Sequence, residues 1–373
     1  RAYSDFRVYY EGGKRFLAKE NIYSRPDPTV PPYKYSPVFA MGMALFALFD
    51  LFEASLLFWV VNFLALIGCL VVSAKLANTN SLTLRQRFIL YFLVILFSSR
   101  FILQVFDHGQ VSLIMLFLVL WGLSLAREHR PIPAALALGG SMMIKYMSVI
   151  FVPYFFIRQR FRLAIGVILS GVVLILIPMI YVGVDQMIVY LKAWLPYIHK
   201  TGLADELSWY NYKNQSIFAV GLRFLWAGCP YPVFHFALSW PQTIVIASVA
   251  GLLIYGVALW PRKKMTSNIE NCDIGLLLLC MALFNPNSWF VNFVVFIFVY
   301  MFLGNYLIRT HFRDKITGVL VLITFMLASV PSESLVGNYW ESLIEQYSSI
   351  GWSALLLAVT LIRLKFSRLL DNE

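Results

Sequence analysis

The sequence predicts an all-α, polytopic membrane protein, and three observations carry that prediction. Apolar residues make up 60% of the 373 and charged residues only 13%, a balance outside the range of ordinary soluble domains. Apolar runs long enough to cross a hydrocarbon core of about 30 Å, which takes about 20 helical residues, recur along the chain. The basic residues then gather in alternate loops between those runs.

The first segment is polar and aromatic, Ser4-Asp5-Phe6-Arg7-Val8-Tyr9-Tyr10. Ser4 and Asp5 are good helix caps ahead of a basic amphipathic helix over 6–18 carrying Lys14 and Arg15. A proline-rich turn, Arg25 to Pro37, follows. Residues 37–49 start at Pro37 and stop at Asp50 and Glu53, too short for a span. We read them as a re-entrant or interfacial segment. Simple spans are expected near 55–77, 88–106 and 108–126. Segment 132–157 is interrupted by Gly139, Gly140 and Lys145 and reads as a hairpin of two half-helices. Further spans are expected near 163–183, 241–260, 287–308, 315–331 and 347–364, with 272–285 a short additional one. No cleavable signal peptide opens the chain, which starts Arg1-Ala2-Tyr3, so a transmembrane helix upstream of residue 1 is expected. The whole of 1–373 reads as a single integral membrane domain with outer loops 1–36 and 185–240.

Charge sets the orientation. With the loops around Lys75–Arg87, Arg127–Arg130, Arg158–Arg162, Arg262–Lys264, Arg309–Lys315 and Arg363–Arg368 on the cytoplasmic side, that face holds 17 of the 30 basic residues and 6 of the 19 acids. The whole net charge of +11 then lies inside, so the basic balance reports topology and not a nucleic-acid partner. This parity requires 37–49 and 132–157 each to enter and leave by one face. Non-helical backbone at membrane depth is tolerated only where protein or a wet cavity surrounds it, so an outward-facing cavity is expected. The four cysteines, Cys69, Cys229, Cys272 and Cys280, have no metal-ligand or disulfide spacing.

Few polar residues fall where chemistry could use them. Asp5, at the mouth of the bundle, is a candidate general base or simply a helix cap. Lys145 sits mid-segment, where a lysine costs about 2.5–3.5 kcal/mol unless paired or hydrated. It reads as a cation awaiting an anion, with a snorkelling side chain as the plain alternative. Arg100 and the run Asp107-His108-Gly109-Gln110 flank a short outer turn. Arg100 could pair with Asp107 and His108 could be a hydrated loop residue, or Arg100, His108 and Lys145 together could hold a phosphate. Asn214-Gln215-Ser216 ends the second outer loop. It reads as a helix start and formally matches a glycosylation sequon. Asn285-Pro286-Asn287-Ser288-Trp289 breaks an apolar run, and Trp289 is a ring suited to a sugar face or to the membrane interface.

Several of these segments, in this order, resemble glycosyltransferase family 87, polyprenyl-phosphate-mannose-type membrane enzymes of the GT-C fold. Asp5-Phe6 with Tyr9-Tyr10, Asn21-Ile22-Tyr23 and Tyr33-Lys34-Tyr35-Ser36-Pro37 are similar to that family's first outer loop. Gly109-Gln110-Val111-Ser112 is similar to its Gly-Gln-Val-Asn turn, with serine at the last place. The segment around Lys145 and Pro153, ending Arg158-Gln159-Arg160, resembles its lysine-bearing broken helix. Asn214-Gln215-Ser216 and Pro286-Asn287-Ser288-Trp289 resemble two further elements. Where the family often has paired histidines after the tryptophan, this chain has Val291-Asn292.

The resemblance implies a GT-C-type bundle, and an inverting mannosyltransferase moving a sugar from a polyprenyl-phosphate donor to a lipid or glycan acceptor. It would work on the outer face of the cell membrane with Asp5 as base. Lys145, Arg100 and His108 would meet the donor phosphate, and Tyr9, Gln110, Asn214, Gln215, Ser288 and Trp289 the substrates. No cofactor is implied, and no metal, since residues 3 and 7 are Tyr and Arg and no Asp-x-Asp forms. A transporter or flippase of lipid-linked sugars is the alternative. It too would use broken helices and a buried lysine, although no inverted repeat shows in the segment lengths and the outer acidic loop has no part in it. A non-catalytic scaffold leaves Lys145 without a reason.

Overall fold

The computed structural model describes residues 4–25, 27, 29–203, 211–231, 236–262 and 265–367, with backbone alone for 197–203. Parts of segment 185–240, expected as an outer loop, Lys263-Lys264 and the last six residues therefore lie outside the described residues, as do Arg1 to Tyr3. Among the described residues the regular structure is helical, with one isolated β-bridge between Trp226 and Leu238. Six helices are long and apolar enough to cross a membrane: α3 (Leu51–Leu76), α4 (Leu84–His108), α8 (Phe161–Val182), α11 (Trp240–Leu259), the stretch Phe290–Arg309 ending in α13 (Phe296–Arg309), and α16 (Ser349–Phe366). α14 (Lys315–Ala328) and α15 (Glu333–Gln346) form a further pair, bent by 83°.

The helix expected near 108–126 is shorter than predicted, and the one expected near 272–285 is longer. α5 (Ser112–Arg127) and α12 (Ser267–Leu283) have 16 and 17 residues, about 24–26 Å at 1.5 Å per residue. Every residue of α12 except Ser267 and Glu270 is buried, so it is a core helix of its unit.

The chain divides into two compact units. The first comprises the described residues up to Val72 and those from Leu103 to 203; the second comprises Ser73–Ile102 and the described residues from 211 onward.

In the first unit, α1 (Ser4–Leu17) is amphipathic. Phe6, Tyr9, Tyr10, Gly13 and Phe16 recur at helical spacing and are buried, while Arg7 and Lys14 stay exposed. Its apolar face meets α2 (Pro37–Ala44) so closely that a Cβ on Gly13 would lie 2.5 Å from the Met43 carbonyl oxygen. Glycine is the residue that permits this backbone approach. Phe6 packs on Phe58 of α3 with ring centroids 4.9 Å apart, and Tyr9 on Phe39 at 5.1 Å. Arg15, buried, donates to the carbonyls of Ile22 (3.2 Å) and Ser24 (2.6 Å) and pins the following turn. Segment 37–49 is thus α2 plus a short 3-10 turn, Phe46–Leu48.

The segment after α5 folds back on itself. α6 (Pro131–Ile144) ends at Lys145, whose backbone is extended at φ −139, ψ 122. A 3-10 turn (Tyr146–Ile150) and α7 (Phe151–Ile157) then return the chain to its starting level, because Pro131 and residues Gln159–Leu163 wall one cavity. α8 leaves that level parallel to α6: Ser170 Oγ donates to the Ala135 carbonyl (2.8 Å), Gly166 faces Ala135 and Gly139 faces Ser170. Lys145 therefore stands at the tip of a hairpin of half-helices. α9 (Val184–Leu203) closes the unit.

The second unit is built around buried polar staples. Asn271 and Asn305 donate to the carbonyls of Leu76 (2.9 Å) and Ala77 (2.7 Å), satisfying the end of α3. Lys365 and Asp273, both fully buried, form an ion pair at 2.6 Å, and the Lys365 ammonium also donates to the terminal carbonyls of α11.

Candidate active site

In the first unit the structure brings Asp5, Tyr9, Gln110, Ser112 and Lys145 together. α4 ends at His108, and Gly109 takes a left-handed conformation (φ 62) that turns the chain into α5. That turn aims the Gln110 side chain at α1. Its amide nitrogen donates to Asp5 Oδ2 at 2.5 Å, and its amide oxygen accepts the Tyr9 hydroxyl at 3.0 Å. Tyr9 and Tyr35 share a further hydrogen bond at 2.9 Å. Burial, then neighbouring Tyr35 and the negative charge of Asp5, hold the Tyr9 phenol well above its ordinary range. Burial lifts Tyr35 in the same direction. Both phenols stay protonated at neutral pH and can act as donors. Asp5 itself lies in the first turn of α1 and is partly exposed, with its carboxylate fixed by Gln110.

Lys145 reaches the same place from the hairpin tip. Its ammonium donates to Ser112 Oγ at 2.8 Å and lies within electrostatic reach of Asp5. Ser36 ties the tip to α2: its hydroxyl donates to the Met143 carbonyl (2.5 Å) and accepts from Phe39 N as the α2 cap. A carboxyl group and an ammonium, each hydrogen-bonded to a neutral partner and neither residue fully buried, lie in one unit within electrostatic reach of each other. Sequence reasoning missed Tyr35 and Ser112 as parts of this site, although both lie in the motifs that carry the family resemblance.

The other expected phosphate ligands stand differently. His108 hydrogen-bonds through Nδ1 to the Gln104 carbonyl of its own helix at 3.1 Å. Arg100 belongs to the second unit. There its guanidinium donates to Glu341 (2.7 Å), to Glu345 and to the Ala328 carbonyl (3.0 Å), and it lies over the Phe290 ring. Glu341 and Glu345 are one helical turn apart on α15, hence on one face, and converge on a single cation. The sequence suggested Asp107 as the partner of Arg100; the carboxylates that hold it within its unit are Glu341 and Glu345, about 240 residues away.

The second unit also holds Asn214, Gln215, Ser288 and Trp289. Asn214 donates to the Pro286 carbonyl (2.6 Å) and accepts from Ser216 N and Ser288 N, while Gln215 N donates to the Ser288 carbonyl (2.8 Å). The Gln215 amide donates to the carbonyls of Tyr212 and Glu345 and accepts from Gly351 N. Both side chains are spent on backbone, so they set the shape of two loops. Ser216, not Asn214, caps α10 (Ile217–Leu225), and Asn214 is fully buried, which removes the sequon from use. Buried Arg223 locks the same loop through the carbonyls of Asn211 and Asn214 and through Ser348 Oγ. Ser288 is buried with no hydrogen-bond partner for its hydroxyl among the described residues, and Trp289 is exposed with its indole N–H donated to Asn287.

Among the described residues no group of three His, Cys, Asp or Glu side chains could hold a metal ion. A carboxyl group and an ammonium held side by side on a helical membrane bundle suit a membrane group-transfer enzyme. The sequence profile of glycosyltransferase family 87 matches residues 33–286, and the chain belongs to that family. It is a membrane glycosyltransferase. The match takes in Tyr35, Gln110, Ser112, Lys145, Asn214 and Gln215, and Asp5 and Tyr9 lie ahead of it. No curated relative matches the chain.

Proposed function

We infer that the enzyme moves a sugar, mannose by family resemblance, from a polyprenyl-phosphate donor to a lipid or glycan acceptor, with inversion, on the outer face of the cell membrane. Asp5 takes the proton of the acceptor hydroxyl as its oxygen bonds the anomeric carbon. The bond from that carbon to the phosphate oxygen breaks on the opposite side, and the polyprenyl phosphate leaves with its charge met by Lys145. A single displacement of this kind inverts the centre. Gln110, backed by Tyr9 and Tyr35, holds the Asp5 carboxylate in place; Ser112 orients the Lys145 ammonium. General base help contributes about 10²–10⁴-fold, and fixed positive charge at the leaving group is usually the larger contribution.

The observation that supports this reading is the pairing of Asp5 with Lys145 in one unit, each held by a side chain of the Gly109–Ser112 turn. Ser288 and Trp289 lie in the second unit and are given no part in this step. Arg100, Asn214 and Gln215 are held by partners within that same unit. The test is turnover by purified protein supplied with a panel of polyprenyl-phosphate sugars and a lipid extract as acceptor. Transfer supports the reading; movement of the intact donor across a vesicle membrane without hydrolysis or transfer would favour the flippase alternative.

A further inference from the structure

We propose that the base of the α6–α7 hairpin, at the end away from Lys145, binds the phosphate head group of an anionic phospholipid. A cavity of about 540 Å³ opens there, walled by His129, Pro131, Gln159, Arg160, Phe161 and Arg162 among others, and no carboxylate lines it. The two turns that meet at the cavity are built alike. Arg130 N donates to the Leu125 carbonyl (2.9 Å) at the end of α5, and Arg160 N to the Phe155 carbonyl (2.8 Å) at the end of α7. Each turn carries one non-glycine residue in the left-handed region, His129 at φ 59 and Gln159 at φ 57, and both side chains line the cavity.

Loop arginines on one face are what any polytopic protein shows. That rule accounts for the charges but not for their walling a cavity free of carboxylates. The lining supplies two guanidiniums and an imidazole, groups that suit a phosphate, and α6 and α8 both start there, adding the positive ends of two parallel helices. Apolar groups beside the cavity are exposed: Phe161 on its wall, and Ile132 and Ile157 next to it in the chain. A phosphate cradle bordered by apolar side chains at a membrane surface suits a lipid head group with its acyl chains alongside. The inference stands apart from the transfer reaction and from the roles of Asp5 and Lys145.

The test is equilibrium binding of radiolabelled dioctanoyl phosphatidylglycerol to the purified full chain in detergent. Dioctanoyl phosphatidylcholine and inorganic phosphate serve as competitors. Saturable binding that phosphatidylcholine displaces poorly is expected, weakened at least about tenfold in Arg160→Gln/Arg162→Gln, as the loss of two surface cations implies. Gln159→Glu, which adds a repelling charge on an exposed turn, should weaken binding without removing an arginine, and it serves if the double variant does not fold. Unchanged affinity in a folded variant overturns the site. Displacement by inorganic phosphate at the same concentration as by the lipid overturns the head-group assignment in favour of a soluble anion.

Discussion

Gln110 donates a hydrogen bond to the Asp5 carboxylate across 105 positions of sequence, and the same amide accepts from Tyr9. One side chain thereby sets the angle of the acid and ties α1 to the turn between α4 and α5. A hydrogen bond to a charged group is worth about 1.5–3 kcal/mol, and each 1.36 kcal/mol is tenfold in rate. Gln110→Leu should therefore slow transfer by about 10–100-fold with the protein still folded. Gln110→Glu should be worse, since it sets a second carboxylate against Asp5. Rates measured on monodisperse protein decide it, and a wild-type rate in Gln110→Leu would show that Asp5 needs no such support.

Lys145→Met separates a donor-site lysine from a structural one. Lys145 is half-buried and its ammonium donates to a serine hydroxyl, with no carboxylate left stranded in a sealed core, so its removal should leave thermal stability nearly unchanged. Donor affinity and transfer rate should both fall, because the leaving phosphate loses its cation. A destabilised protein with normal activity per folded molecule would end the donor-site reading.

Lys365→Met should behave in the opposite way. Lys365 and Asp273 are both fully enclosed, and removing one member of such a pair typically costs about 3–5 kcal/mol. The variant should unfold at markedly lower temperature, while Lys365→Met/Asp273→Leu recovers much of the loss. Equal melting temperatures for wild type and the single variant would show the pair to be neutral.

Asp314 caps α14 and accepts hydrogen bonds from Arg363 and Thr317. Burial opposes its charge, yet those bonds outweigh it and bring the carboxyl down to about 2. A carboxyl depressed in the folded state contributes stability that is complete above its unfolded value, about 3.9, and is lost as pH falls from there toward about 2. Wild-type stability should drop across that window more steeply than that of Asp314→Asn. Parallel curves would remove Asp314 from the acid response.

The membrane architecture was legible because a bilayer demands contiguous apolar runs. The spans expected near 55–77, 88–106, 163–183, 241–260, 287–308 and 347–364 correspond to helices found within a few residues of those limits. The interruption at Lys145 was legible too, since charge parity required the segment to turn back and the structure breaks the helix at that residue. α5 was over-extended, and α12 was read as a possible span, because an apolar run buried in protein reads the same as one buried in lipid. The partners of the polar residues were not legible. Nothing local to Arg100 points to Glu341 and Glu345, and the hydroxyl of Ser112 meets Lys145 only once the hairpin has folded. Asn214 and Gln215 looked like binding residues because buried amides that hold backbone and exposed amides that hold ligands are the same letters in a sequence.

The central claim is that Asp5 is the base of a polyprenyl-phosphate-dependent transfer, and Asp5→Asn tests it most directly. The amide keeps the size of the side chain and removes its capacity to take a proton. With the purified variant, its preferred polyprenyl-phosphate sugar and saturating acceptor, the account predicts a turnover at least about 10²-fold below wild type, with folding and donor binding retained. Turnover within a few-fold of wild type would contradict it and return Asp5 to a helix-start residue.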